Sequence, residues 1–390
     1  MLPSPDPATF PKRAKRLRPS AKRAMASLGA ILLASCGQEG PPPLPPLPES
    51  ALEAVAVEPG VPREELARRL DALFTGDDLG ETYAVVIMHR GEVVAERYAE
   101  GFSADTRFIG WSMSKTVTAV LIGMMVADGR LALDTSPPID HWQRAGDPRG
   151  AITLRHLLQM RSGLRHQEGA EPVQDSSEVR MLFLDGRDDM AAWAEAQPLA
   201  HEPGSQFTYS TATTVILGDI MARLLAPEGD AATRQRAMAD FLEARLAVPL
   251  GLTSMVGEYD AAGTLIAGSA IWANARDWAR FGDFLRSGGA AGGVQVVPRG
   301  WVDFMKSESP RAPDYGAQLW LNRPSGTERN VIFADQGPDT AFAAMGHLGQ
   351  VLYISPQQGL VILRTGKTLD EEERALMDAI AAISALYPVR

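Results

Sequence analysis

Ser112-Met113-Ser114-Lys115-Thr116 opens a long, almost wholly apolar stretch that continues through Val117, Val120, Leu121, Ile122, Met124 and Met125. The periodicity predicts a buried helix over residues 112–127. At its start, residues i and i+3 share a face, so the Lys115 ammonium can reach the Ser112 hydroxyl. The positive end of the helix dipole favours an alkoxide there and disfavours a charged lysine. Apolar surroundings also lower a lysine pKa. A serine beside a neutral lysine is a known form of activated nucleophile, with the amine as base. The rival hydroxyl, Ser114, has Val117 as its i+3 partner. Composition sharpens the reading. The chain has six lysines, at 12, 15, 22, 115, 306 and 367; the last three stand against 28 arginines beyond residue 35. Arginine cannot shed its proton, so a retained lysine marks a place where discharge matters.

On both sides of this stretch the chain alternates strand-like and helix-like segments. Leu66, Leu70 and Leu73 repeat at helical spacing within 61–74. Residues 83–88 and 93–98 are β-rich runs around Arg90-Gly91, the pattern of a hairpin. Helices are predicted over 154–164, ended by Gly163, and over 211–225, 234–247 and 274–287. Strand character returns at 295–297, 349–354 and 360–364. A closing helix spans 369–386, with Glu371, Glu372 and Glu373 in its first turn, where the dipole favours acids. Strands near both termini with helices between them predict an α/β (α+β) fold. Its sheet is assembled from both chain ends, with an inserted all-helical lobe over about 112–290.

The 390 residues are 45% hydrophobic and 22% charged, the balance of a globular chain with a sizeable core. Residues 1–35 hold seven basic residues and one acid; the remainder carries 31 basic against 47 acidic groups. So acidic a body is a poor match for nucleic acid. With one cysteine, Cys36, neither an intrachain disulfide nor a cysteine metal cluster can form.

The N-terminus has the layout of an export signal: a basic segment over 12–23, then an apolar run over 24–34 too short to span a bilayer as a helix. It ends at Leu33-Ala34-Ser35-Cys36-Gly37, which resembles the lipobox of bacterial lipoproteins. The resemblance implies a signal peptide over 1–35 and lipidation of Cys36. Residues 36–50 contain six prolines and form a stiff tether. The body, 51–390, would then sit on the cell envelope, at the periplasmic face of the outer membrane, anchored by lipid.

Several stretches resemble, in order, the serine β-lactamase and penicillin-binding-protein superfamily. The closer likeness is to its class C-like branch of β-lactamases, D-alanyl-D-alanine carboxypeptidases, esterases and 6-aminohexanoate-dimer hydrolases. Ser112-x-x-Lys115 is the first motif. Residues 157–164 are similar to the family's Leu-Leu-x-His-x-Ser-Gly-Leu segment, with Met160 and Arg161 departing from it. Residues 203–210 match its Pro-Gly-x-x-Phe-x-Tyr-Ser segment, and 249–252 its Pro-Leu-Gly turn. The second motif, Tyr-x-Asn, stands as Tyr209-Ser210-Thr211. The third stands as His347-Leu348-Gly349 rather than Lys-Thr-Gly; Arg364-Thr365-Gly366 is a decoy placed too late.

The resemblance implies a β-lactamase-like fold and a serine hydrolase that forms an acyl-enzyme on Ser112. Lys115 would be the base, and Tyr209 a proton relay whose phenol a nearby cation would acidify. The backbone N–H groups of Ser112 and Gln350 would form the oxyanion hole, with His347 opening an edge strand along the cleft. Gly349 would admit the backbone to the substrate, and Thr211 would face the substrate or cap its helix. The substrate would be a small amide or ester. The alternative from another class is an envelope sensor that acylates slowly or never, to which Thr211 points. His89, His141, His156, His166 and His201 lack metal-ligand spacing, so no metal or cofactor is expected. The polar stretch 165–190 would border the cleft, with Trp111, Trp272 and Trp320 as candidate cleft aromatics.

Overall fold

The computed structural model describes residues 46–389. The expected signal peptide, Cys36 and the tether as far as residue 45 lie outside the described residues. The first hairpin forms where the alternation predicts it, from β1 (Glu81–His89) and β2 (Glu92–Tyr98). Arg90 and Gly91 between them both have positive φ, 55° and 90°, which matches the strand twist of a two-residue turn. The chain then adds β3 (Arg107–Ile109), β4 (Val256–Gly257), β5 (Ile271–Asn274), and a small ribbon of β6 (Ala290–Ala291) and β7 (Val294–Gln295). It ends with β8 (Trp320–Leu321), β9 (Phe342–Gly346), β10 (Gln350–Ser355) and β11 (Leu360–Lys367).

The main sheet is antiparallel throughout, in the order β2-β1-β11-β10-β9-β8. The first and last strands of the chain pair inside it, with Val86 opposite Leu363. β3, β5 and β4 make a second, three-stranded sheet. The edge strand expected at 349–354 is corrected: β10 lies inside the sheet, between β11 and β9. The strand that covers it, Phe-Ala-Ala-Met-Gly, has no β-branched residue and no alternation, so nothing in its sequence announced it.

The helices are α1 (Glu49–Glu53), α2 (Arg63–Thr75), α3 (Met113–Ala127), α4 (Leu154–Leu158), α5 (Ser177–Phe183) and α6 (Met190–Glu195). Then come α7 (Thr211–Leu225) and α8 (Ala231–Leu242), whose π-helical extension Glu243–Ala247 runs into α9 (Val248–Leu250). α10 (Ala275–Arg286), α11 (Arg299–Met305) and α12 (Glu373–Ser384) complete the set.

Side chains alternate across the central strands. Ala84, Val86, Met88, Leu352, Val361 and Leu363 join one core with α3, α7 and α10. Val85, Ile87, Val351, Tyr353 and Ile362 join the other, with Leu66 and Leu70 of α2 and Met377 and Ile380 of α12. The terminal helices therefore cover one face and the central segment covers the other. The expected lobe limits are corrected at their far end. α10 lies on the main sheet against β1, β10 and β11, and β4 and β5 interrupt the helices before it. α4 is also shorter than predicted. Its last carbonyls are closed by Gln159 and Arg161 N–H groups, and Met160 turns left-handed at φ 54°, so the chain leaves the helix before Gly163.

Candidate active site

α3 brings the first pair together. Lys115 Nζ lies 2.7 Å from Ser112 Oγ, 2.8 Å from Thr211 Oγ1 and 3.0 Å from the Gly268 carbonyl oxygen. Ser112 stands at the helix N-cap, yet its side chain caps no N–H, which leaves the hydroxyl to the lysine. Residues 113–125 of α3 are all buried. Burial pushes the Lys115 amine below its ordinary value of 10.5, against the opposing pull of Glu168 and Glu178. The backbone ahead of Ser112 is held in a sparsely populated conformation: Trp111 has φ 45°. Gly110 N–H anchors this turn to the Ile271 carbonyl at 2.8 Å.

The second motif is arranged differently from its expected form. Ser210, not Thr211, caps α7, its Oγ accepting from Thr213 N–H at 3.1 Å. Thr211 is fully buried and gives both its protons to one carboxylate: its N–H donates to Glu168 Oε2 at 2.7 Å and its hydroxyl to Glu168 Oε1 at 2.5 Å. Glu168, half-buried on the cleft wall, was not singled out in the sequence. It falls in the polar stretch expected to border the cleft, but nothing in the local pattern separates it from its neighbours. Gly268, whose carbonyl completes the lysine's shell, carried no signal either.

Tyr209 places its ring 5.0 Å from Lys115 Nζ and stacks on Trp320 at 5.5 Å. The expectation that a nearby cation would acidify this phenol is corrected. Burial raises its pKa far above the ordinary 10.0, Glu168 adds to the rise, and the Ser112 hydroxyl only opposes it. Tyr209 therefore stays a neutral phenol at neutral pH.

His347, Leu348 and Gly349 form the turn from β9 to β10 rather than a strand start. The turn is tied from behind. Gln350 Nε2 donates to the carbonyls of His347, Leu348 and Gly366 at 3.0, 3.1 and 2.7 Å. Gln350 faces Gly346 across the ladder and lies outside the cleft lining, so the oxyanion donor expected from it is not brought to the site. His347 lines the cleft instead, its ring edge-on to Trp111 at 5.5 Å. Among the described residues, neither Ser112 N–H nor His347 N–H has an acceptor in the protein. Their two segments touch: a Cβ on Gly346 would come within 2.3 Å of the Gly110 carbonyl oxygen. Close backbone approach thus belongs to Gly346. Gly349 has φ 73°, and a Cβ there would press on Thr368 and the Arg364 guanidinium, so its need for glycine comes from packing as well as from the turn.

Ser112, Tyr209, Glu168, Trp111, Trp320 and His347 share one cleft of about 680 Å³. Trp272 is not part of its lining. Arg364, the decoy, is fully buried, bonding the carbonyls of Gly349, Leu79 and Glu81 and the Thr82 hydroxyl. Groups of three or more His, Cys, Asp or Glu able to hold a metal ion are absent among the described residues. The arrangement presents a hydroxyl beside a poorly solvated amine, with two N–H groups that have no protein acceptor on residues lining the same cleft. That is the equipment of acyl transfer.

The family sequence model described as Beta-lactamase matches residues 77–387. The chain is 25% identical over 371 residues to the 6-aminohexanoate-dimer hydrolase of Paenarthrobacter ureafaciens, covering 91% of this chain and 88% of that protein. It is 33% identical over 212 residues to esterase EstB of Burkholderia gladioli, covering 48% of this chain and 50% of that one. The solved structure of EstCE1, a hydrolase with promiscuous acyltransferase activity, superposes with a TM-score of 0.61 at 18% identity, over 82% of this chain and 99% of that one.

Proposed function

This chain belongs to the Beta-lactamase family and is a serine hydrolase of the β-lactamase, esterase and amidase type, and on that footing we propose that it cleaves a small amide or ester through an acyl-enzyme on Ser112. The observation that carries the proposal is the buried Lys115 amine, 2.7 Å from a hydroxyl on the cleft wall. Neutral Lys115 takes the Ser112 proton as Oγ attacks the substrate carbonyl. The oxyanion is met by the N–H groups of Ser112 and His347, two fixed donors worth several kcal/mol at the transition state. The bond to the leaving amine or alkoxide then breaks. The proton held by Lys115 returns to that leaving group by way of the neutral Tyr209 hydroxyl. Water enters, gives its proton back along the same path, and releases the acid.

Cleft charge supports neutral or amine-bearing substrates over carboxylate-bearing lactams. Glu168, Glu178, Asp370 and Glu373 line it, and its two arginines, Arg329 and Arg374, already pair with Asp314 and Asp378. The names of the relatives, a 6-aminohexanoate-dimer hydrolase and an esterase, favour amides and esters over lactams. The deciding experiment is mass-spectrometric mapping after treatment with a fluorophosphonate. An adduct on Ser112 is expected, and folded protein without one would end the proposal. In parallel assays, kcat/KM on nitrophenyl esters and linear aminohexanoate amides should exceed that on a chromogenic cephalosporin by about 100-fold; the reverse order would remove the substrate reading. The export reading is also retained as a proposal: lipid on Cys36 would hold the domain at the envelope. Metabolic labelling with palmitate, lost in Cys36→Ala, is its check.

A further inference from the structure

The Lys115 amine has three polar neighbours, and two of them have fixed roles. The Gly268 carbonyl can only accept. The Thr211 hydroxyl has one proton, and it goes to Glu168 Oε1, a carboxylate oxygen that can only accept. Thr211 Oγ1 must therefore accept from Lys115. A neutral amine has two N–H groups and one lone pair. Both N–H groups are committed, to Gly268 and Thr211, and the lone pair is left facing Ser112 Oγ at 2.7 Å. The direction of every bond in this chain is set by its far end.

We propose that Glu168 is a positioning residue for Lys115: by holding the Thr211 hydroxyl proton, it forces the amine lone pair toward Ser112. Without a carboxylate at 168, the Thr211 hydroxyl is free to turn and donate to Lys115, competing with Ser112 for the lone pair. Glutamine cannot replace it. Thr211 presents two donors, its N–H and its hydroxyl, to two carboxylate oxygens, and an amide offers one oxygen and one donor. The inference rests on the acyl-enzyme reading above.

The position of Glu168 does not depend on its own side chain. Gln167 N–H donates to Ser177 Oγ at 2.8 Å and Ser177 N–H to the Gln167 carbonyl at 2.7 Å, pinning the segment to α5. The buried His166 ring bonds Ser210 Oγ at 3.0 Å and the Ala194 carbonyl at 3.1 Å, pinning it to α7 and α6. A substitution at 168 therefore changes the hydrogen-bond chain with little cost to the fold. The charged and titratable groups around Lys115 are Glu168 from this segment, Glu178 from α5, Tyr209 from the approach to α7 and Tyr315, which lines the same small cavity. Of these, Glu168 bonds Thr211 through both carboxylate oxygens, and Tyr209 bonds the Ser112 hydroxyl.

The test is the rate of Ser112 modification by a fluorophosphonate between pH 6 and pH 10. The Oγ–P bond forms as the P–F bond breaks and fluoride leaves, while the hydroxyl proton passes to Lys115. Glu168→Gln is expected to lower the limiting rate by about 100-fold, because the base is misdirected. It should also move the acid limb about one unit lower, because a nearby anion favours the protonated lysine and its removal favours the neutral one. Thr211→Val should lower the limiting rate comparably, and Thr211→Ser, which keeps the hydroxyl, should restore it to within about fivefold of wild type. A rate that falls in Glu168→Gln with the limb unmoved would mean that the residue only supports the loop, and would overturn the inference. Wild-type rates in both Glu168→Gln and Thr211→Val would overturn it too. A wild-type protein that takes no label sinks the acyl-enzyme reading and this inference together; a labelled wild type with indifferent variants sinks this inference alone.

Discussion

Lys115 on α3 and Arg364 on β11 are both fully buried basic side chains. Burial pushes both downward. It takes Lys115 below its ordinary value and brings Arg364 down to about 10. The consequences differ. Arg364 stays charged at neutral pH, because its starting point is two units higher and its donors end on three carbonyls and a hydroxyl. It behaves as a strut, holding the Gly349 carbonyl and with it the turn that presents His347. Lys115 starts lower and has two hydroxyls among its three neighbours; Thr211 gives its proton to Glu168, so losing the lysine proton gives the Ser112 hydroxyl somewhere to send its own. The same desolvation makes a scaffold of one cation and a base of the other; what decides is the chemistry of the partner and the distance of the starting pKa from neutrality.

The sharpest way to break that contrast is to exchange the two chemistries. Lys115→Arg keeps a cation in the pocket and removes the base, so kcat should fall by about 1000-fold or more while circular dichroism and melting stay near wild type. Full turnover would erase the distinction. In the wild type, kcat/KM should rise with pH through the lowered lysine value, because the neutral amine is the active form. Since burial raises Tyr209, no loss from its ionisation should follow at moderately alkaline pH. Arg364→Met, on the other side, should cost about 3 kcal/mol or more of unfolding free energy in urea, since several buried carbonyls lose their donors at once. An Arg364→Met protein as stable as wild type would show that the strut is dispensable.

Smaller effects sharpen the picture of the turn. Gln350→Leu removes three side-chain donations behind it and should lower kcat by about 10- to 100-fold, with KM changing less. His347→Ala should be the mildest, under about tenfold in kcat, because the contribution assigned to that position is its backbone N–H. A much larger loss would mean that the imidazole itself takes part.

Most of the sheet was legible because its strands alternate or run apolar between clear turns: β1, β2, β10 and β11 were all found. β9 was not, because a strand of Phe, Ala, Ala, Met and Gly owes its place to neighbours on both sides rather than to its own residues. That omission misread the backbone around the third motif, which is a turn between β9 and β10. With β9 unseen, the stretch after His347 reads as an edge strand; the oxyanion donor at Gln350 is what the family resemblance implies. Glu168 was missed for a similar reason. It lies 43 residues from Thr211 in sequence, and a lone acid in a polar stretch has no local signature of the bond it makes.

Ser112 and Lys115 lie three residues apart on one helix, so their meeting follows from helix geometry and could be read from the sequence alone. The same holds for the hairpin at Arg90-Gly91 and for the acidity of the body, which depend on local backbone preferences and on composition. Everything that depends on which distant segments meet was settled by tertiary packing. That includes the carbonyl of Gly268, the carboxylate behind Thr211, the turn that presents His347, and the burial that keeps Tyr209 protonated. Hydrogen bonds and desolvation act over a few ångströms, and only the folded chain brings residues tens to hundreds of positions apart within that range.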